Sequence, residues 1–494
     1  MLFNTLTFWL LFAPLSFLVL CLLARKNNRA AVSWLGFASL AFYAWSELRY
    51  LPLLLGSILL NYLVGQLILA ALAKNRGPLG PRHWMLIGVG ANLALLGYFK
   101  YAGLFQTSLA HWLPGFAPGF VPPALPIGIS FFTFTQIAFL VDSAAGKVKH
   151  NELSRYFLFV TFFPHLIAGP ILHHASMMPQ FGARSFGRFS AADVCAGLLI
   201  FCVGLVKKVV LADSVSEFVT PIFGAADAGF ALGTGEAWVG VLAYTFQIYF
   251  DFSGYTDMAI GLSRMMGIAL PENFNSPYNA TSISDFWRRW HISLSTFLRD
   301  YLYIALGGNR RGPARRHLNL MATMLLGGLW HGASWNFMVW GGLHGLYLVI
   351  NHVWRQWFPP SAAGPGWPGR LCGWAVTMVA VAFAWVFFRA SSFDSAFLVI
   401  DAMLGHAAGK TGHVVPYDTQ RAIAWILVCA AVALLAPNTV ALRARFGPLV
   451  QRLPVADAQR MRGLLIGGML VLCTLLIVMS ESAVGRSPFI YFNF

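Results

Sequence analysis

The stretch LNLMATMLLGGLWHGASWNFMVWGGLHGLYLVI, Leu318 to Ile350, decides the class of fold because it contains no Asp, Glu, Lys or Arg. An apolar run of about 18 residues or more is long enough to cross a bilayer as a helix. The stretch also contains His331, and ionisable side chains at membrane depth are costly enough to predict a functional site. It therefore predicts a helical membrane protein that is an enzyme.

Composition extends this prediction to the whole chain. Of 494 residues, 58% are hydrophobic and 11% are charged, and the mean hydropathy is +0.65. A soluble globule of this size needs more polar surface, so we predict one all-α, polytopic membrane domain over 1–494. The first apolar segment lacks a basic leader and a cleavage site, which predicts a retained span. The net charge of +16 is dispersed between spans, which predicts attraction to anionic membrane lipid as a partner and argues against a nucleic-acid partner.

Apolar runs recur along the chain and predict roughly ten to twelve transmembrane helices. The run 318–350 is either one tilted span or two spans broken at its glycines. The loops after the first and third spans are basic, and so is the Arg310–Arg316 loop. Basic loops tend to be cytoplasmic, so we predict that these three loops are cytoplasmic and that the N-terminus is external. The basic residues of the first two loops are Arg25, Lys26, Arg29, Lys74, Arg76 and Arg82. The predicted spans are 6–24, 30–46, 51–73, 84–99, 125–143, 156–174, 194–212, 236–262, 318–350, 371–388, 421–437 and 463–481.

A second histidine, His291, lies in the segment TSISDFWRRWHISLSTFLRDYLY, which starts at Thr281. Ser282 and Asp285 have the spacing of a capping box, so we predict a helix that begins there. One face of that helix would hold Trp287, His291 and Ser295. Two interpretations stay open: a functional histidine at the cytoplasmic edge, or a plain interfacial helix whose histidine snorkels.

Helical phase gives His331 a glycine-lined face. On one straight helix, Gly327, Gly328, Gly342 and Gly345 fall within about 60° of His331. Small residues allow either a substrate channel or close helix packing, and the histidine on the same face favours the channel. His344 falls about 220° away, so it is interpreted as a packing residue unless the helix breaks.

The residue types restrict the chemistry. A neutral imidazole can take a proton from an attacking hydroxyl, so we expect His331 to be a general base. The sequence has no GxSxG, HExxH or Walker A motif, which argues against acyl-enzyme hydrolysis, zinc proteolysis and ATP-driven transport. His165, His173 and His174 have no carboxylate or cysteine to complete a ligand set, so no metal site is predicted.

Several motifs together resemble the membrane-bound O-acyltransferase family. Within it the chain is most similar to the membrane subunits of bacterial alginate and cellulose acetylation. The resemblance covers nearly the whole chain, and the joint match is specific. The motifs are GYFKYA at 97–102, LPIGISFFTF at 125–134, FPHLIAGPI at 163–171, YFDFSGYTDMAIGL at 249–262, ENFNSPY at 272–278, FWRRWHISLSTFLRDYLYIALGGNR at 286–310, LLGGLWHG at 325–332 and the terminal SPFIYFNF.

This resemblance implies a ring of transmembrane helices around a thin waist, with funnels to both faces. It implies that His331 is catalytic, and His291 matches the second histidine motif of the family. It also implies an acetyl donor on the cytoplasmic side, such as acetyl-CoA, with no bound cofactor. The acetyl group would pass across the inner membrane to an exopolysaccharide, alginate or cellulose, directly or through a periplasmic acetyltransferase or another secretion-complex subunit.

Further residues are assigned as candidates around the two histidines. Donor or substrate binding is assigned to Trp287, Arg288, Arg289, Ser295, Trp330 and Asn336. The arginines, with the Arg310–Arg316 loop, would hold donor phosphates, or they only reflect the positive-inside rule. Asp251, Ser253 and Asp257 are interpreted first as structural residues. Two other functions stay open: a transporter of polymer or lipid-linked sugar, and a non-catalytic scaffold of the secretion complex.

Overall fold

The computed structural model describes residues 1–74, 79–113, 121–149, 152–359, 366–406, 408–412, 415–451, 455–482 and 489–490. Arg76 of the predicted cytoplasmic loop lies outside these ranges, as do all residues of the terminal SPFIYFNF motif except 489–490. Within the described ranges the named elements are all helices, and the only extended pairing is an isolated bridge between Phe230 and Lys410. The all-α prediction is confirmed.

The described helices follow one another along the chain. They are α1 (Ala13–Lys26), α2 (Asn28–Glu47), α3 (Leu51–Lys74), α4 (Pro81–Leu96), α5 (Ala102–Trp112), α6 (Ile129–Ala144), α7 (Leu153–Thr161), α8 (Phe163–Leu166), α9 (His174–Phe181), α10 (Ala191–Leu205), α11 (Asp213–Asp227), α12 (Thr234–Met265), α13 (Ile283–Arg289), α14 (Ile292–Phe297), α15 (Gly312–His331), α16 (Trp335–Trp357), α17 (Trp367–Arg389), α18 (Phe393–Met403), α19 (Thr419–Leu435), α20 (Thr439–Gln451) and α21 (Val455–Ser482). π-helical segments adjoin them at Thr7–Phe12, Gly97–Tyr101, Val206–Ala212 and Leu298–Tyr303.

Six helical segments of the described ranges are long and apolar enough to cross a membrane. They are Thr7–Lys26, Asn28–Ala73, Pro81–Trp112, Ala191–Asp227, Trp367–Arg389 and Gln459–Ser482, and the bent pair Thr419–Leu435 with Thr439–Arg445 would make a seventh. The 46-residue segment Asn28–Ala73 contains two of the predicted spans. A multi-pass membrane protein is confirmed, with fewer segments of spanning length than the roughly ten to twelve predicted.

The predicted span 156–174 is wrong as a continuous helix. α7 ends at Thr161, and the next helix, α8, is only four residues long. Pro164 stands at its start, where the missing backbone N–H cannot continue the hydrogen bonds of α7. A Cβ on Gly169 would lie 2.3 Å from the Cα of His165, so the backbone folds tightly on itself just beyond α8.

The apolar run 318–350 forms two helices rather than one. α15 ends at His331, and Gly332 is extended at φ −165° and ψ 151°. α16 begins after Ser334, whose Oγ accepts a hydrogen bond from the backbone N–H of Asn336 at 3.2 Å. Since one straight helix does not exist here, the angular argument that separated His344 from His331 fails.

The glycines of this run bring α15 and α16 into close antiparallel contact. A Cβ on Gly328 would lie 2.2 Å from the carbonyl oxygen of Phe337, and one on Gly341 would lie 2.3 Å from that of Met324. A Cβ on Gly345 would meet the sulfur of Met321 at 2.8 Å. Only glycine permits such an approach of two helix backbones. Gly328 and Gly345 of the predicted row, together with Gly341, therefore serve close helix packing. A Cβ on Gly342 would meet only the side chain of Leu325, at 3.4 Å.

Contacts divide the chain into two compact units. The first contains Met1–Leu205, Tyr255–Pro271 and Arg443–Val484, and the second contains Val206–Gly254, Glu272–Leu442 and Gly485–Phe494. One boundary between them falls inside α12. The single domain over 1–494 stays a prediction.

The first unit buries a chain of polar side chains among its apolar helices. Asn61 and Asn92 exchange hydrogen bonds of 2.6 and 3.2 Å. Gln136 donates to Ser57 Oγ at 2.9 Å and accepts from the Tyr156 hydroxyl at 3.3 Å. Lipid offers no hydrogen-bond partners, so these bonds satisfy buried groups and link α3, α4, α6 and α7.

The second unit encloses a lysine between two carboxylates. Lys208 Nζ lies 2.7 Å from Asp251 Oδ1 and 2.8 Å from Asp213 Oδ1, and the Lys208 and Asp251 side chains are each 2% exposed. Asp251 Oδ2 also accepts a hydrogen bond from the backbone N–H of Ile490 at 2.8 Å. Buried charges need such pairing. These contacts agree with the structural role expected for Asp251.

Candidate active site

The segment around His291 contains a helix break. Ser282 caps α13 as predicted, with its Oγ accepting from the backbone N–H of Asp285 at 3.2 Å. The helix then ends at Arg289, and His291 takes the left-handed conformation at φ 42° and ψ 55° before α14 begins. The predicted continuous helix is therefore wrong, and Trp287, His291 and Ser295 do not share a helix face.

A neighbouring segment causes this break by pairing with the backbone of the junction. The N–H of Asn275 donates to the carbonyl of Arg289 at 2.9 Å, and the N–H of Ile292 donates to the carbonyl of Asn273 at 2.9 Å. These backbone groups are therefore bonded to the ENFNSPY segment, and α13 does not continue into α14. The tertiary pairing also holds His291 in a conformation that few non-glycine residues adopt.

His291 is held by one side chain that the sequence motifs do not single out. Its Nδ1 lies 3.1 Å from Oδ1 of Asn273, which is itself buried. The same oxygen accepts from the backbone N–H of Ser293 at 3.1 Å and from its hydroxyl at 2.9 Å. His291 is 0% exposed, so the interpretation as an interfacial, snorkelling histidine is wrong.

These contacts fix the tautomer of His291. The backbone N–H of Ser293 can only donate, so the Asn273 atom that it contacts is the amide oxygen. That oxygen can only accept, so Nδ1 of His291 carries the proton and donates to it. In the neutral ring Nε2 then has the lone pair. Burial lowers the pKa of His291 to about 3, so the ring is neutral at pH 7.

The structure brings His331 next to His291. The two imidazole centroids are 6.4 Å apart, and His331 is 2% exposed at the last residue of α15. Three aromatic rings enclose His331: Trp330 at 5.0 Å, Trp340 at 5.0 Å and Phe388 at 5.2 Å between centroids. An imidazole in such a setting can act as a base only where a substrate reaches it, so the enclosure restricts access to the site.

Of the other predicted site residues, Trp330 joins the pair most directly. Its ring contacts both imidazoles, at 5.0 Å from His331 and 6.2 Å from His291. Asn336 Nδ2 donates to the carbonyl oxygen of Ala390 at 2.9 Å, which ties the start of α16 to the end of α17. Asn336 therefore has a structural role in these contacts.

The remaining candidates lie on or beside α13. Trp287 packs in an aromatic cluster on α16, 5.9 Å from Trp340. Ser295 donates to the carbonyl of Trp290 at 3.4 Å, a local backbone contact. Arg288 is exposed, whereas Arg289 is bound to Asp285 at 3.0 Å. Of the two arginines, only Arg288 is exposed to the solvent.

Sequence reasoning missed three contributors to the site: Asn273, Phe252 and Phe388. Phe252 packs edge-on against His291 at 4.7 Å, and Phe388 packs against His331 at 5.2 Å. Both phenylalanines are separated from the histidines by tens of residues in the chain, so no local spacing indicates them. The available signals were that Asn273 lies within the quoted ENFNSPY motif and that Phe252 lies within the quoted YFDFSGYTDMAIGL motif.

The three histidines considered for metal binding are engaged in other contacts. His165 Nε2 lies 2.9 Å from the carbonyl oxygen of Phe159, and the ring of His174 packs against Phe139 and Phe159 at 5.2 and 5.5 Å. Among the described residues no group of three or more His, Cys, Asp or Glu side chains is placed to hold a metal ion.

Comparison with known proteins relates this geometry to a family. The family described as MBOAT, membrane-bound O-acyltransferase, matches residues 100–393, which include both imidazoles. A peptidoglycan O-acetyltransferase of Helicobacter pylori is 42% identical over 441 residues, covering 82% of this chain and 80% of that protein. A probable alginate O-acetylase, AlgI, of Pseudomonas aeruginosa is 43% identical over 413 residues, covering 82% and 75%.

A more distant relative carries a different acyl group in its name. The teichoic acid D-alanyltransferase of Streptococcus thermophilus is 30% identical over 247 residues, covering 47% of this chain and 57% of that protein. The family match spans more than half of the chain, and the two more similar relatives are matched over most of their length. The chain is a multi-pass O-acyltransferase that belongs to the membrane-bound O-acyltransferase family.

Proposed function

We propose that the protein transfers acetyl groups from acetyl-CoA in the cytoplasm, across the inner membrane of a bacterium, for O-acetylation of a secreted polysaccharide. The group reaches the polymer directly or through a periplasmic acetyltransferase or another secretion-complex subunit. The observation that carries this proposal is the buried pair His291 and His331, 6.4 Å apart between ring centroids. Acyl transfer to a hydroxyl needs a positioned base, and a neutral imidazole supplies one at pH 7.

We propose His331 as the general base. Its imidazole takes the proton of the acceptor hydroxyl while the hydroxyl oxygen attacks the thioester carbonyl. The carbon–sulfur bond then breaks, and the leaving thiolate takes the proton from the His331 imidazolium, so protons and electrons balance. His291, with its proton on Nδ1, offers Nε2 as an acceptor. His291 therefore orients an O–H or N–H group rather than polarising the thioester carbonyl.

The polymer is proposed only as a class. The relatives named for peptidoglycan and for alginate are 42% and 43% identical to this chain, so identity favours neither polymer. Both names describe acetylation of a polysaccharide. We therefore propose a polysaccharide hydroxyl as the final acceptor, with alginate, cellulose and peptidoglycan as the first polymers to assay.

The arginines beside His291 are proposed to differ in their role toward the donor. Arg288 is exposed and free of an ion pair in the described contacts, whereas Arg289 pairs with Asp285. We propose Arg288 as a contact for the phosphates of acetyl-CoA. Arg288→Gln should raise the KM for acetyl-CoA in a salt-dependent way, and Arg289→Gln should chiefly lower stability. Equal KM values for both variants and the wild type would favour the positive-inside interpretation.

The deciding experiment is His331→Ala in a strain that secretes the polymer. His83→Ala is the matched control, because His83 is exposed and lies outside the site. We expect the H331A strain to secrete polymer without acetyl esters and the H83A strain to secrete acetylated polymer. Fully acetylated polymer from H331A would overturn the catalytic proposal and favour a scaffold. Loss of the polymer itself would favour transport.

A further inference from the structure

Beside the histidine pair lies a cluster of three rings whose polar atoms are unusually placed. His344 packs against Trp340 at 4.8 Å and against Trp287 at 5.2 Å, and the two indoles are 5.9 Å apart. His344 is 0% exposed and Trp340 is 1% exposed. Trp287 is half-buried, and its Nε1 is buried. The three rings form one cluster between α13 and α16, which we call the indole–imidazole cluster.

The polar atoms of this cluster have no partners within the described part of the chain. They are Nε1 of Trp287, Nε1 of Trp340, and both ring nitrogens of His344. Buried polar groups are normally hydrogen-bonded, because leaving one without a partner is costly. A phenylalanine at position 344 would pack against the same rings without that cost. Four such atoms in three touching rings indicate a polar ligand rather than simple packing.

The donor and acceptor inventory restricts that ligand. Each indole N–H only donates, and a neutral imidazole has one donor and one acceptor. The cluster thus offers three donors and one acceptor, so its ligand must present mainly acceptor atoms. Carbonyl oxygens of a thioester and of amides meet this requirement, whereas a sugar hydroxyl donates as readily as it accepts.

The position of the cluster links it to the base. Trp340 lies between the two histidines, with its ring 5.0 Å from His331 at 85° and 4.8 Å from His344 at 64°. The ring of Trp340 therefore contacts both the proposed base and His344. The acceptor-rich part of the reacting molecules is the acyl thioester with its amide-bearing arm.

We propose that His344, Trp340 and Trp287 form a hydrogen-bonding site for the carbonyl oxygens of the thioester donor. This inference rests on the proposed function and deepens it, because it assigns a donor site next to the base. In this proposal His344 binds the donor, and its two unpartnered ring nitrogens lower the stability of the protein without the donor.

The test measures acetyl-CoA binding to the full-length protein in lipid nanodiscs, in an H331A background that cannot turn over. His344→Phe keeps an aromatic ring and removes both nitrogens, whereas His344→Asn and His344→Gln keep polar atoms and remove the ring. We expect H344F to weaken binding about tenfold and the polar variants to stay within about threefold of the parent. Trp340→Phe should weaken binding several-fold.

Thermal unfolding of the same preparations gives the second measurement. H344F should unfold at a higher temperature than the parent, because it removes two buried polar atoms that lack partners. The matched control is His174→Phe in the other unit, where a buried histidine packs against two phenylalanines and also has an unpartnered ring nitrogen, Nε2. H174F should leave acetyl-CoA binding unchanged.

The outcomes separate this inference from the proposed function. If H344F binds acetyl-CoA as tightly as the parent, whatever the polar variants do, the donor site is overturned and the proposed role of His331 is unaffected. If the parent protein binds no acetyl-CoA, the assignment of the donor itself is overturned. Loss of acetylation in H331A with normal acetylation in H344F would also reject the site.

Discussion

Replacing Asn273 by leucine tests whether one side-chain oxygen holds His291 in place. Asn273 Oδ1 accepts from His291 Nδ1 at 3.1 Å, from Ser293 N at 3.1 Å and from Ser293 Oγ at 2.9 Å. Leucine is similar in volume but accepts no hydrogen bond, and a buried donor without a partner costs about 1–3 kcal/mol. The Ser293 hydroxyl can rotate towards another acceptor, so only the Nδ1–H of His291 and the backbone N–H of Ser293 lose their partner. These two donors predict a loss of about 2–6 kcal/mol in the free energy of unfolding.

The same change should lower activity because it releases the His291 ring. If positioning is worth about 1.4–2.7 kcal/mol, kcat/KM falls about 10- to 100-fold. Asn273→Asp is the matched variant, since its carboxylate can accept from all three donors. Its negative charge should raise the pKa of His291, so activity should be near normal at pH 8 and should decline as the pH falls.

The assay follows acetyl transfer from acetyl-CoA in nanodiscs, with thermal unfolding measured on the same preparations. N273L with the kcat/KM of the wild type would refute the view that Asn273 positions His291. An N273D variant as inactive as N273L at pH 8 would show that the accepting oxygen is not the feature that matters.

Three further predictions concern stability. Lys208→Met should lower the free energy of unfolding, measured by denaturant titration, by about 3–5 kcal/mol, because it leaves Asp251 buried without its cation. Adding Asp251→Leu to this variant should restore much of the lost stability. Gly328→Ala should separate α15 from α16 and abolish monodisperse protein in size-exclusion chromatography, because its Cβ would lie 2.2 Å from a carbonyl oxygen. Gly327→Ala is the control and should elute normally, because its Cβ would meet only a flexible leucine methyl at 3.1 Å. The pKa of His291 is 6.5 in an unfolded chain and about 3 in the folded protein, so between these pH values only the unfolded chain binds a proton at this residue. The free energy of unfolding should therefore fall by about 2 kcal/mol from pH 7 to pH 5. His291→Asn should flatten this pH dependence, as measured by thermal unfolding.

The two histidines show how far local sequence reasoning extends. The sequence singled them out as candidate catalytic residues, because an ionisable side chain at membrane depth is costly. That catalytic role stays a prediction. Their surroundings could not be predicted from the sequence. Periodicity treats a segment as one regular element, so it placed Trp287 and Ser295 beside His291 on a helix that in fact ends at Arg289. It also assumed one straight helix when it separated His344 from His331, although the helix ends at His331 and Gly332 is extended.

Composition and residue types alone identify an all-α, multi-pass membrane protein of the acyltransferase family, because they reflect the surrounding solvent and the available chemistry. The positions of the helix breaks, the glycines that pack and the side chain that contacts His291 depend on contacts between distant parts of the chain. The reason is physical: in a uniformly apolar chain the hydrophobic pattern carries little information about breaks. Those breaks are imposed by long-range hydrogen bonds, such as that between Asn275 and Arg289, and by backbone contacts such as that of Gly328 with Phe337.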